Sequence, residues 1–169
     1  LYGTHNIYNS LAAISIAMSM DIPLIDIIQG LNTFSGVKRR LELKYKADEI
    51  MLYDDYAHHP TEVVTTLEGL YKSYSDYKIV VVFQPHRFSR LTKFFDKFAD
   101  SFKRASLTVL LPVFSAGELK RKYKDSQDLK KEIEKNGSAV VYSESFESSI
   151  NEIKNEINNK TIIILMGAG

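Results

Sequence analysis

The sequence predicts an α/β protein whose main part is a doubly wound, mostly parallel sheet, preceded by two helices. Three observations support this. From Ile50 to Met166, short β-branched runs alternate with longer amphipathic stretches. The run Ile79-Val80-Val81-Val82-Phe83 is apolar on both faces, as a strand covered by helices on both sides must be. Before these, two amphipathic segments follow one another with no strand between them, and that pattern ends at the basic cluster Lys38-Arg39-Arg40. The expectation is a Rossmann-like domain over residues 39–169, preceded by helices over residues 1–38 that belong to a different unit.

From Asn6 to Met20, Ile7, Leu11, Ile14, Ala17 and Met18 recur at helical spacing, and Pro23 closes the segment. A second helix runs from Leu24 to Phe34, with Leu24, Ile27, Ile28 and Leu31 on one face and Gly36 as a stop signal. The strands expected next are Ile50 to Tyr53, Ile79 to Phe83, Thr108 to Pro112, Ala139 to Tyr142 and Thr161 to Met166. The helices between them are Thr61 to Tyr74, Arg90 to Arg104, Ser126 to Lys135 and Ser145 to Asn158. Ligands of such a sheet sit beyond the carboxyl ends of the strands, where strand-to-helix loops converge and helix N-termini favour anions. Asp55 and Gln84 are expected there, beyond the ends of adjacent strands.

Composition narrows the class. A chain of 169 residues with 44% hydrophobic and 11% aromatic content can bury one core and a small satellite. With 22 Lys and Arg against 21 Asp and Glu, the formal charge of +1 gives no global attraction to nucleic acid or an anionic membrane. Anion binding must therefore be local. The absence of cysteine removes disulfide frameworks and thiolate metal sites. No apolar run approaches the roughly 20 residues that span a bilayer, and no signal peptide opens the chain, so a cytoplasmic chain is expected. Leu1 in place of Met, and the turn Gly167-Ala168-Gly169 after the final strand run, lead to the expectation that the natural protein continues beyond both ends.

The unusual polar groups gather at strand ends. The first strand runs into Asp54-Asp55-Tyr56-Ala57-His58-His59-Pro60-Thr61-Glu62, which concentrates carboxylates, a phenol and imidazoles. The second runs into Gln84-Pro85-His86-Arg87-Phe88-Ser89-Arg90, where Arg87 and Arg90 can straddle one carboxylate or phosphate. Each loop taken alone is equally compatible with helix capping and solvated surface pairs. Convergence on one edge favours a site. Asp54, Asp55, His58 and His59 are also donors suited to Mn, Fe or Zn, which leaves a metal-dependent phosphoesterase open as an alternative. A non-catalytic α/β ligand-binding module is another. The stretch Lys120 to Lys124 reads as a solvated basic loop.

Several segments, in their order and spacing, resemble the Mur ligase family. They are Gly3-Thr4-His5-Asn6-Ile7-Tyr8-Asn9 with Ala12-Ala13, Gly36-Val37-Lys38-Arg39-Arg40, DDYAHHPTE at Asp54 to Glu62, FQPHRFSR at Phe83 to Arg90, Ala116-Gly117-Glu118 and the final Met166-Gly167-Ala168-Gly169. FQPHRFSR is the most specific, because the branches that add later amino acids carry different sequences there. The chain departs from the family pattern at Leu119 to Lys124. The resemblance implies three domains, for UDP-sugar, ATP and the incoming amino acid. Residues 1–38 would be the C-terminal helices of the central ATP-binding domain and 39–169 the amino-acid-binding domain.

The activity implied is an ADP-forming, ATP- and Mg2+-dependent ligation of L-alanine to UDP-N-acetylmuramate through an acyl phosphate, in peptidoglycan precursor synthesis. ATP, L-alanine and UDP-N-acetylmuramate are the implied partners, with no nucleic acid or membrane. By the same resemblance, His5, Asn6, Asn9, Arg40 and Asp55 face the nucleotide. Tyr56, His58, His86, Arg87 and Arg90 face the amino acid, with Arg87 and Arg90 on its carboxylate. His5 is open between the nucleotide and a helix cap, and His59 reads as structural. No G-x-x-x-x-G-K-[ST] occurs in this chain, so the phosphate-gripping lysine and the Mg2+ ligands are expected upstream. No catalytic residue and no metal ligand is expected here, and the chain alone is expected to be inactive.

Overall fold

The structure is a computed structural model that describes residues 4–120, 122–157 and 160–168, with the side chains of Thr4 and His5 excepted. Helix α1 (Thr4–Ser19) and helix α2 (Leu24–Thr33) come first. Asp21 ends α1 by taking a left-handed φ of 58°. The Ile22 N–H then donates to the Ala17 carbonyl, which satisfies an acceptor that the last helical turn leaves orphaned. Neither helix is covered: Ile7, Leu11, Met18, Leu24 and Ile25 are exposed, and Ile27 is their one buried hydrophobic residue among those described.

The remaining elements are strands β1 (Glu42–Ala47) and β2 (Ile50–Asp55), helix α3 (Pro60–Ser73), strand β3 (Lys78–Phe83), helices α4 (Phe88–Lys93) and α5 (Phe95–Asp100), and strand β4 (Leu107–Leu110). They continue with helix α6 (Ser126–Lys135), strand β5 (Val140–Tyr142), helix α7 (Phe146–Lys154) and strand β6 (Thr161–Met166). The six strands form one sheet in the order β1-β2-β6-β3-β4-β5. Pairing is parallel from β2 through β5, and β1 is antiparallel to β2. One face carries the main core, where Val63, Leu67 and Leu70 of α3, Leu91 of α4, Phe98 of α5 and Leu129 and Ile133 of α6 pack on Ile79, Val81, Phe83, Ile162 and Ile164. The other face is a smaller cluster in which Ile153 of α7 meets Val80, Val82, Val109 and Ile163. The sheet is thus a mostly parallel α/β sheet with helices on both faces, as expected, but the helices are divided unequally.

Three expectations are corrected. β1 was not anticipated: its residues are mostly exposed and its register with β2 is shifted between Leu43 and Tyr45, so burial does not mark it. The single helix expected from Arg90 to Arg104 is two short ones, broken at Phe94, whose φ of −117° and ψ of 25° leave the helical region. The break lets Leu91 and Phe98 both face the sheet while the Phe94 ring packs edge-on against His59, 4.6 Å between centroids. Asp55 and Gln84 do not follow adjacent strands, because β6 pairs with both β2 and β3 and lies between them. Asn158, the expected end of α7, lies outside the described residues.

Candidate functional site

The carboxyl ends of β2, β6 and β3 are sewn together by backbone. The Gly167 N–H donates to the Asp55 carbonyl at 3.2 Å, and the Gln84 N–H to that of Met166 at 3.0 Å. A side chain at Gly167 would put its Cβ 3.2 Å from the Gln84 oxygen, so the close approach of the two turns requires glycine. The loops Tyr56 to His59 and Pro85 to Arg90 therefore flank one short turn. Arg39 locks that edge from outside: its Nη2 donates to the Gly167 carbonyl at 2.7 Å and its Nε lies 3.6 Å from Asp54.

On the α3 side of this edge lies a cleft of about 780 Å³, within the range typical of small-molecule sites. Asn6, Asn9, Ser10 and Ala13 of α1, Gly30 and Leu31 of α2, and Thr61, Glu62, Thr65, Thr66 and Gly69 of α3 line it, with Arg40, Leu41 and Asp55 at its sheet end. Asp55 is 5% exposed. Its Oδ2 accepts the Leu41 N–H at 2.8 Å and its Oδ1 the Ala57 N–H at 2.7 Å. Burial pushes the Asp55 carboxyl above the usual range, outweighing those N–H groups and the nearby Arg40. The Asn9 amide lies 3.4 Å from Asn6 Oδ1, so the two form one polar strip.

Glu62 forms a wall common to the cleft and the rim. Its Oε2 accepts the N–H groups of His58 at 2.9 Å and His59 at 3.1 Å, and its Oε1 lies 4.0 Å from Arg40. Burial pushes its carboxyl up, but the His58 and His59 N–H groups, the His58 ring and Arg40 together hold it below the ordinary range. His59 in turn caps α3, its Nδ1 accepting from the Thr61 N–H at 3.3 Å, with Pro60 at the first helical position. That is the structural role expected of it.

The rim proper is an array of rings and guanidiniums. His58 donates from Nδ1 to the Tyr56 carbonyl at 2.8 Å, which puts a proton on that nitrogen. The His58 ring stands 6.3 Å from that of His86, which stacks on Phe114. Arg90 Nη1 lies 3.4 Å from His86 Nδ1, so this imidazole nitrogen is the acceptor. Burial lowers the His86 pKa, and the charges of Arg90, His58 and Arg87 lower it further, which keeps the ring neutral near pH 7. Tyr56 lies under two basic residues that precede β1, with the Arg39 and Arg40 guanidiniums 4.8 and 5.8 Å from its ring centroid. Arg87 itself is exposed and takes φ 72°, ψ 127°, a conformation that costs a non-glycine residue about 1–3 kcal/mol and clusters at functional sites.

The sequence-derived candidates therefore separate into two neighbouring groups. Asn6, Asn9, Arg40 and Asp55 line the cleft, while His58, His86, Arg87 and Arg90 form the rim, with Tyr56 between them. The side chain of His5 lies outside the described residues. Glu62, Arg39 and Phe114 were not singled out as site residues. Glu62 and Arg39 stood inside quoted motifs, whereas nothing in sequence marks Phe114 as the partner of His86. The donors considered for a metal do not converge: Asp55 is engaged by two N–H groups, Asp54 by Arg39, and His59 by the α3 cap. Among the described residues no group of three or more His, Cys, Asp or Glu is placed to hold a metal ion. Nor, among them, is any helix long and apolar enough to cross a membrane.

Known proteins resemble this chain in sequence and fold. The family model described as "Mur ligase, glutamate ligase domain" matches residues 39–169. A UDP-N-acetylmuramate--L-alanine ligase of Desulfatibacillum aliphaticivorans is 41% identical over 100% of this chain and 37% of its own length. One from Sulfurihydrogenibium sp. is 40% identical over 99% of the chain and 37% of its own length. Among solved structures, the UDP-N-acetylmuramate-alanine ligase of Thermotoga maritima superposes with a TM-score of 0.80 at 28% identity, covering 100% of this chain and 35% of that one. The chain thus spans about 37% of the length of its curated relatives. The extent of the match and the shared fold establish that the chain belongs to the Mur ligase family.

Proposed function

We propose that the chain is the C-terminal part of an ATP-dependent, ADP-forming ligase that joins L-alanine to UDP-N-acetylmuramate. Residues 1–38 would complete the ATP-binding domain, and residues 39–169 would bind the amino acid. The observation that carries this is the shared wall: Glu62 lines the cleft and holds the His58 loop, so a nucleotide in the cleft and an amino acid on the rim would be neighbours. The names of the relatives and the exposed apolar sides of α1 and α2 support it, since contiguous exposed apolar surface of this kind marks a contact face.

ATP would supply the phosphoryl group that activates the muramoyl carboxylate. The Asn6 and Asn9 amides can donate to and accept from a purine edge, and Arg40 supplies a fixed positive charge at the sheet end of the cleft. Asp55 uses one lone pair on each oxygen for backbone and keeps acceptor capacity for ribose hydroxyls. On the rim, Arg87 and Arg90 would pair with the alanine carboxylate, and neutral His86 beside them leaves the amine in a site without an added cation. No donor set for Mg2+ is assembled among the described residues, and no step here is assigned to it.

Kinetics of the full-length protein test the division, with each substrate varied in turn. Arg40→Ala should raise the KM for ATP about tenfold or more, the scale of one lost charge-assisted contact. Arg90→Ala should do the same for L-alanine. Equal effects of both variants on both substrates would refute the assignment.

A further inference from the structure

We infer that Glu118 is a positioning residue for the Arg87–Arg90 pair, clamping the turn that presents both guanidiniums to a carboxylate substrate. The inference rests on the proposed amino-acid site and adds to it a residue that does not itself touch substrate. Helix α4 has no cap of its own: Arg87 occupies the N-cap position without a side-chain cap bond. Glu118, 29 residues further on, supplies the missing acceptor, its Oε2 taking the Ser89 N–H at 3.0 Å and its Oε1 the Ser89 hydroxyl. Ser89 sits between the two arginines.

The same loop holds the segment at a second place. The Arg87 N–H donates to the Phe114 carbonyl and the Phe114 N–H to that of Pro85, both at 2.8 Å. These bonds keep the loops paired but fix only the near side of Arg87. Its unfavourable φ of 72° persists only where the surroundings over-determine it, and Glu118 holds the far side. Glu118 is itself aimed by a tight turn in which Ala116 and Gly117 take φ of 49° and 85° and the Glu118 N–H donates to the Ser115 carbonyl at 3.0 Å. The Ser89 hydroxyl and N–H hold the Glu118 carboxyl below its ordinary range, so it stays charged at neutral pH. Further along, the Lys124 N–H donates to Thr92 Oγ1 at 2.9 Å and its ammonium lies 4.9 Å from the Phe95 ring centroid, so the basic stretch clasps α4 and α5 as well.

A cap that served stability alone would affect all substrates alike, whereas a positioning residue acts on the ligand of the arginines. Ligation kinetics of the full-length protein decide between these, using Glu118→Ala, Glu118→Gln and Ser89→Ala with Arg87→Ala and Arg90→Ala as controls. The expected result is that Glu118→Ala raises the KM for L-alanine about tenfold while those for ATP and UDP-sugar move less than about twofold. Glu118→Gln should recover most of the loss, because its carbonyl still accepts the Ser89 N–H and its amide can donate to the hydroxyl oxygen. Ser89→Ala should show the same selectivity in weaker form. If Glu118→Ala does not fold, selectivity in Ser89→Ala supports the inference and its absence overturns it. An unchanged alanine KM in Glu118→Ala beside a raised one in Arg87→Ala overturns the clamp and leaves the site intact. Unchanged alanine KM in both arginine variants overturns the site and the clamp together. A parallel rise for all three substrates, or no recovery with Gln, makes Glu118 a structural cap and overturns the inference.

Discussion

Replacing Asp55 by Ala removes the acceptor that joins the segment before β1 to the end of β2. The carboxylate receives two N–H groups at 2.8 and 2.7 Å, from Leu41 and Ala57. Ala57 is 0% exposed, so its N–H gains no water in exchange. Leu41 takes a left-handed φ of 50°, and that N–H bond helps hold it there. Hydrogen bonds to a charged acceptor contribute about 1.5–3 kcal/mol each, and burying the charge offsets part of that, so a net loss of about 2–4 kcal/mol at pH 7 is expected. Urea denaturation of the chain, read through its ten tyrosines in the absence of tryptophan, measures it. The pH dependence is specific. Because burial raises the folded carboxyl above its ordinary value of 3.8, the pH-dependent part of its contribution is fully present below that value and is lost as pH rises through the raised one, leaving the hydrogen-bond part at pH 7. The difference between native and variant chains should therefore grow as pH falls towards 3.8. A loss below about 1 kcal/mol would show that the two amides contribute little at this corner, and a difference that shrinks on acidification would show that they outweigh burial and would overturn the raised pKa.

Three further outcomes are expected. Gly167→Ala places its Cβ 3.2 Å from the Gln84 oxygen and should cost about 1–3 kcal/mol in the same assay; an unchanged urea midpoint would show that the two turns slide apart freely. His86 has a folded pKa below 6.5, so its stability contribution is present above 6.5 and lost as pH falls through the lowered value. His86→Gln should flatten the stability profile across that window, and superimposable profiles would contradict the assignment. The 169-residue chain alone should form no product from ATP, L-alanine and UDP-N-acetylmuramate, because it lacks a phosphate-binding glycine loop with its lysine; single-turnover product in a quench assay would refute this.

Local composition was sufficient for the class of fold. Ile79 to Phe83 and Thr161 to Met166 are apolar on successive positions, which only a sheet covered on both faces satisfies, and the polar motifs DDYAHHP and QPHR fall directly after such runs. The partition of those motifs into a nucleotide group and an amino-acid group came from family resemblance, and the fold sets the two groups on neighbouring surfaces. Strand order was not legible. β6, last in the chain, lies between β2 and β3, and a run of isoleucines carries no mark of which strands will flank it. Strand β1 had a faint signal in the alternation of Leu43, Tyr45 and Ala47, but at an exposed edge charged residues fill the positions between and no burial confirms the period. The break at Phe94 follows from packing two aromatic-rich turns on one sheet, which helical periodicity does not register. Contacts distant in sequence were likewise beyond reach: the Asp55 bond to Leu41, the His86 stack on Phe114 and the Glu118 clamp on Ser89 join segments that only chain closure brings together. Residue types at strand ends can be read along one dimension, whereas the left-handed turn of Arg87 and the acceptors that hold it arise where separate loops meet.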